Sequence, residues 1–133
     1  MKIRHTINYS FNDALKVMVM GTSPEALVKA RERVWVKTLA TQLEDELGGD
    51  DVRVFTAYNR DHLEDYGADQ LLNDIQVCRV GKTTTADKKK EEIPYIHASL
   101  WQVEIDLSRD LSHAVYAFNR LVIGNSENKL FVG

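Results

Sequence analysis

Residues 71–77, Leu-Leu-Asn-Asp-Ile-Gln-Val, and residues 101–107, Trp-Gln-Val-Glu-Ile-Asp-Leu, each set acids inside an apolar run of strand character. Asp74 lies in the first run, Glu104 and Asp106 in the second. Side chains along a strand repeat every two residues, so Glu104 and Asp106 are expected on one face. Pairing of the two runs would add Asp74 and build a cluster of three carboxylates. Carboxylates held close repel one another unless a cation neutralises them, and hard cations such as Mg²⁺ or Mn²⁺ take oxygen ligands. The competing reading places the same acids on the solvent face of an antiparallel sheet, where polar and apolar residues alternate.

Outward from these runs, the clearest element is a helix over residues 24–47. Ser23 is its N-cap, Pro24 sits where a missing N–H costs nothing, and Glu25 suits the positive end of the dipole. Val28, Trp35, Leu39, Leu43 and Leu47 recur at helical spacing, and Gly48-Gly49 ends the run. Val52 to Tyr58 is β-like, and the polar stretch 59–70 has room for one helical turn. Leu71 to Val80 and Ile96 to Leu107 read as strands. Residues 81–92, almost without apolar side chains, read as an exposed loop. Ser112 caps a second helix carrying Ala114, Val115, Phe118, Leu121 and Val122, with Gly124 at its end, and Lys129 to Val132 is a last strand.

The N-terminus alternates Ile3, His5, Ile7 and Tyr9 against Arg4, Thr6 and Asn8, the period of a half-buried strand. With a turn at Asn12-Asp13 and a second strand over 14–20, a β-hairpin follows. A helix over 12–20 competes with it, because alanine, leucine and methionine favour helices. The whole reads as one α/β domain over 1–133, a mixed sheet flanked by helices, with a hairpin extension at 1–22 and a core at 23–133.

The chain has 133 residues, 44% of them hydrophobic and 28% charged, which suits one compact domain and excludes disordered and collagen-like classes. One cysteine leaves no internal disulfide. Apolar runs such as Val17 to Met20 are too short to cross a bilayer, and no secretory leader is visible, so a cytoplasmic location without membrane contact is expected. Seventeen basic against 20 acidic residues give a net charge of −3. No basic stripe stands out, so any nucleic-acid contact should be weak.

The order long helix, strand, strand with an aspartate, strand with an acidic pair, helix, short strand resembles the PD-(D/E)XK nuclease-like (restriction-endonuclease-like) fold. The matching stretches are Leu71-Leu-Asn-Asp-Ile, Val103-Glu-Ile-Asp, and Ala117-Phe-Asn-Arg-Leu-Val-Ile-Gly with Lys129-Leu-Phe-Val; the similarity covers residues 24–132. The resemblance implies that Asp74 and Glu104 hold a divalent metal, Mg²⁺ or Mn²⁺. The family's lysine, which positions or activates water, is replaced here by Asp106, and an anion cannot stabilise the attacking water or the developing negative charge. Asp106 is then a further ligand.

Other residues carry weaker signals. Arg120 and Asn119 on the following helix are within range of a migrated role, though a solvated helix face is the preferred reading for Arg120. Glu44, Asp45 and Glu46 form either an extra acidic contribution to the site or a hydrated helix end. His5, His62, His97 and His113 lack zinc spacing. Cys78 beside His97 lacks a nucleophile signature, Gly81-Lys82-Thr83 lacks the first glycine of a phosphate loop, and Lys88-Lys89-Lys90 is offset by Asp87, Glu91 and Glu92. Trp35 and Trp101 read as core.

Two function classes emerge. One is a divalent-metal-dependent phosphodiesterase on DNA or RNA with Asp74, Glu104 and Asp106 as its site. The other, favoured by the missing lysine and the net charge, is a non-catalytic binding or assembly module in a nucleic-acid-associated complex, with a protein partner or a second copy. A protein- or small-molecule-binding domain unrelated to nucleic acid is the third reading.

Overall fold

The computed structural model describes residues 3–16, 23–68, 73–87, 91–108 and 110–133. Its elements run α1 (Ile3–Leu15), α2 (Pro24–Leu47), β1 (Val52–Thr56), α3 (Arg60–Asp65), β2 (Ile75–Thr84), β3 (Glu92–Ile105), α4 (Leu111–Ile123) and β4 (Asn128–Val132). The strands form one mixed sheet in the order β1-β2-β3-β4. β1, β2 and β3 pair antiparallel, whereas β4 returns through α4 to lie parallel to β3. This is the mixed sheet flanked by helices that the sequence predicts.

Helix α2 begins as its cap chemistry requires, with the Ser23 hydroxyl accepting from the Ala26 amide at 3.2 Å. It ends where the Gly48 amide donates to the Glu44 carbonyl at 2.8 Å. Trp35, Val36, Leu39, Ala40 and Leu43 form its buried stripe. That stripe packs on Val54, Ile75, Val77, Val103 and Ile105, one side-chain row from each of β1, β2 and β3. Burial of each such side chain contributes about 1.5–3 kcal/mol, so this is the main core. On the opposite face, Leu63 of α3 closes a smaller cluster over Phe55, Cys78 and Val80. Alternation along the strands separates the faces: Val54 from Phe55, Val77 from Cys78, Val103 from Glu104.

The N-terminal segment departs from the hairpin reading. Residues 3–15 are a helix, and of the proposed second strand residues 17–20 lie outside the described residues. The reason lies in the spacing of small side chains. Thr6, Ser10 and Ala14 recur every four residues and are buried against α2, with Ile3, Ile7 and Phe11 beside them. Ser10 accepts the indole N–H of Trp35 at 2.8 Å, and the Phe11 ring lies 4.8 Å from the Trp35 ring. His5 and Tyr9, assigned to the inner face of a strand by alternation, are exposed.

The stretch 81–92 also departs from expectation at its ends. Gly81 to Thr84 continue β2 and pair with Tyr95, Pro94, Ile93 and Glu92, so β2 and β3 extend as a two-stranded arm. Backbone ladders and β-favouring threonines hold the arm without a buried face. Beyond the paired residues, the Thr85 amide donates to the Glu91 carbonyl at 2.9 Å. Lys88, Lys89 and Lys90 lie outside the described residues.

Candidate carboxylate cleft

Asp74 immediately precedes β2, Glu104 is the penultimate residue of β3, and Asp106 is the first residue past that strand. Because Ile75 lies opposite Val103, the start of β2 and the end of β3 are neighbours in the sheet, and Asp74 meets the Glu104–Asp106 segment. All three acids line one cleft of about 780 Å³. The cleft also carries Glu25, Lys29 and Glu32 from α2 and Asp110, His113 and Arg120 from the α4 end.

Glu104 is not on a solvent face. It is 1% exposed, covered by α4. Arg120, one turn from the end of that helix, donates from Nε to Glu104 Oε1 at 2.9 Å and from Nη2 to Oε2 at 3.2 Å. Asn73 Nδ2 adds a third bond to Oε1 at 3.1 Å. A bidentate guanidinium–carboxylate pair of this kind is among the stronger charge-assisted contacts in proteins. The expectation that Arg120 lies on a solvated helix face is therefore corrected: its side chain is 43% exposed, but the guanidinium is committed to Glu104. The Glu104 carboxylate in turn raises the Arg120 pKa further, chiefly through that hydrogen bond.

Asp74 accepts the Ile105 amide at 2.8 Å through Oδ2. Burial pushes its pKa up to about 7, and the neighbouring Glu104 carboxylate, by charge and by hydrogen bonding, acts in the same direction against the lowering effect of the Ile105 amide. Two carboxyl groups are thus held together with the proton stabilised on Asp74.

Asp106 lies one residue past the end of β3. Its amide donates to the Val132 carbonyl, and Oδ1 turns back to accept the Ser108 amide at 2.8 Å. Oδ2 is buried without a hydrogen-bond partner. Asp106 nonetheless lines the same cleft as Glu104 and Asp74.

Glu32 is the member that sequence reasoning missed. It sits in the middle of α2, accepts the Leu107 amide at 2.6 Å through Oε1, and has its pKa raised by burial, with the Asp106 charge adding to the shift. It stands three residues before Trp35, four before Val36 and seven before Leu39, in line with the buried stripe of α2, so an acid on the apolar face of the helix is the signal by which the sequence could have pointed to it. Glu44 and Glu46 serve elsewhere: Glu44 accepts the Val54 amide at 3.0 Å and Glu46 accepts the Thr6 hydroxyl at 2.9 Å.

The other candidates do not join the cleft as reactive groups. Cys78 is buried between Phe55 and Leu63, burial pushes its thiol up to about 11, and it is paired across the ladder with Ser99. His62 bonds the Val54 carbonyl and Asn59, and His97 stacks near Tyr95 on β3. Among the described residues no group of three or more His, Cys, Asp or Glu side chains is arranged to hold a metal ion. No helix among them is long and apolar enough to cross a membrane. Comparison with family models, with curated proteins and with solved structures gives no match for this chain.

Proposed function

We propose that the chain is a nuclease-like domain of restriction-endonuclease-like fold that does not hydrolyse phosphodiesters and serves as a binding or assembly module in a nucleic-acid-associated complex. The element order α2-β1-β2-β3-α4-β4, with three antiparallel strands and a fourth parallel to the third, supports the resemblance. The observation that carries the non-catalytic reading is the Arg120–Glu104 pair.

A divalent ion at this site needs oxygen lone pairs that converge and are free of competing cations. Both oxygens of Glu104 are engaged, one by Arg120 and Asn73 and the other by Arg120. Asp74 directs Oδ2 at a backbone amide, and Asp106 directs Oδ1 at another. The residues present therefore do not fit the ion, and the positive charge that the carboxylates need comes from within the chain. Arg120 is no substitute for the missing lysine as a base, because a guanidinium stays protonated. A phosphate backbone approaching the cleft meets Glu25, Glu32, Asp106 and Asp110 against Lys29, a balance that repels it.

Thermal unfolding in EDTA, Mg²⁺ or Mn²⁺, on wild type and on Glu104→Gln, tests this reading together with a cleavage assay on single- and double-stranded DNA and RNA. The expected result is the same midpoint with and without millimolar metal, and no cleavage. A metal-dependent rise that Glu104→Gln abolishes, accompanied by cleavage, overturns the proposal in favour of a divalent-metal-dependent phosphodiesterase.

A further inference from the structure

Helix α4 turns only Ala117 and Leu121 fully inward. Its outer surface carries Leu111, Val115, Phe118 and Val122, exposed by 77, 44, 55 and 58%. Their spacing of four, three and four residues is the alternation of a coiled-coil seam, which lies along one side of a helix and fits another helix. Phe131 of β4 continues the patch, its ring edge-on to Phe118 at 6.4 Å. Scattered exposed apolar residues need no explanation, but a continuous row of this kind marks an interaction surface.

We infer that this surface is covered by α4 of a second copy of the chain, packed antiparallel about a two-fold axis near the middle of the helix. The inference rests on the assembly reading above and gives it a partner. The seam is self-complementary in that orientation: Leu111 faces Val122 of the second copy and Val115 faces its Phe118. Charges at the ends agree. Asp110 caps the N-terminus of α4, while Lys129 reaches the Val122 carbonyl near its C-terminus, at 3.5 Å. Antiparallel packing brings Asp110 beside Lys129 of the second copy at both ends of the seam and opposes the two helix dipoles. The exposed parts of the five apolar side chains amount to roughly 500 Å² per copy, or about 1,000 Å² in a pair, the lower bound for a specific interface. An isologous contact closes on itself and leaves no free seam for further copies.

Sedimentation velocity on the full chain, with Phe118→Glu as the variant, decides the matter. Wild type at about 100 µM should sediment as two chains, as expected for an interface of this size. Phe118→Glu should sediment as one chain with an unchanged melting midpoint at low concentration, since the side chain points outward. Oxidation of a mixture of Leu111→Cys and Val122→Cys chains should give a covalent dimer of one chain of each kind, exceeding the yield from either alone. A wild type that stays a single chain at 100 µM overturns the proposal, as does a dimer that survives Phe118→Glu. Either failure leaves the metal and cleavage experiments to judge the non-catalytic reading separately.

Discussion

Replacing Arg120 with methionine removes the only side-chain cation bonded to Glu104 among the described residues and leaves that carboxylate 1% exposed beneath α4. Breaking a buried pair by deleting one partner costs about 3–5 kcal/mol, because the remaining charge is neither hydrated nor compensated. Two features place the present case near the lower end. The Asn73 amide still donates to Oε1 at 3.1 Å, and the Arg120 side chain is 43% exposed, so water reaches the vacated position. A loss of about 3 kcal/mol corresponds to a fall in melting midpoint of about 10 °C for a domain of this length. Urea unfolding at pH 7.5 in EDTA should register the same loss as a lower midpoint without a change in slope. Adding Glu104→Gln to Arg120→Met removes the orphaned charge while keeping an oxygen for Asn73, so the double variant should recover all but about 1 kcal/mol. Freed of its guanidinium, Glu104 beside Asp74 also gains room for a cation, and millimolar Mn²⁺ should restore part of the midpoint in Arg120→Met alone. An Arg120→Met variant within about 0.5 kcal/mol of wild type, or a double variant no more stable than the single, would refute the reasoning.

Further expectations concern the same cleft and the helix layers. The pKa of Asp74 is raised in the folded state to about 7, so between pH of about 4 and 7 the folded chain holds a proton that the unfolded chain has lost, and stability falls as pH rises through that window. Asp74→Asn keeps an acceptor for the Ile105 amide and removes the titration; it should match wild type near pH 4 and exceed it by on the order of 4 kcal/mol above pH 7, and parallel pH profiles of the two proteins would refute the assignment. Ser10→Ala leaves the indole N–H of Trp35 buried without an acceptor and should cost about 1–3 kcal/mol, read by chemical unfolding followed through tryptophan fluorescence; an unchanged midpoint would mean that α1 does not pack through this bond. A Cβ at Gly124 would overlap the side chain of Gln102, which is itself buried, so Gly124→Ala should lower stability by about 1–3 kcal/mol; a neutral effect in calorimetry would show that the end of α4 shifts freely.

The fold is written most clearly where local chemistry suffices. Ser23, Pro24 and the stripe from Trp35 to Leu43 specify α2, and alternation specifies the paired parts of β2 and β3, because caps and periodicity act between neighbours along the chain. The N-terminus shows the limit. Ile3 and Ile7 satisfy both a strand period and a helix period, and the choice falls to Thr6 and Ser10, polar residues whose burial makes sense only once Glu46 and Trp35 of α2 stand opposite them. The arm formed by residues 81–84 and 92–96 shows another limit, since strands paired without a buried face leave no hydrophobic pattern to read.

For the cleft, the sequence by itself determined that acids stand at 74, 104 and 106 beside the apolar residues of two strands. Tertiary structure alone decided what those acids do. It placed Arg120 on Glu104 across 16 residues, Asn73 on the same carboxylate across 31, and Glu32 on the loop after β3 across 75. Such pairings depend on how the sheet brings β2, β3, α2 and α4 to one end, and no spacing along the chain encodes them. The charge state of a carboxylate follows from its desolvation and its neighbours, so the chemistry of the site became defined only when the chain was packed.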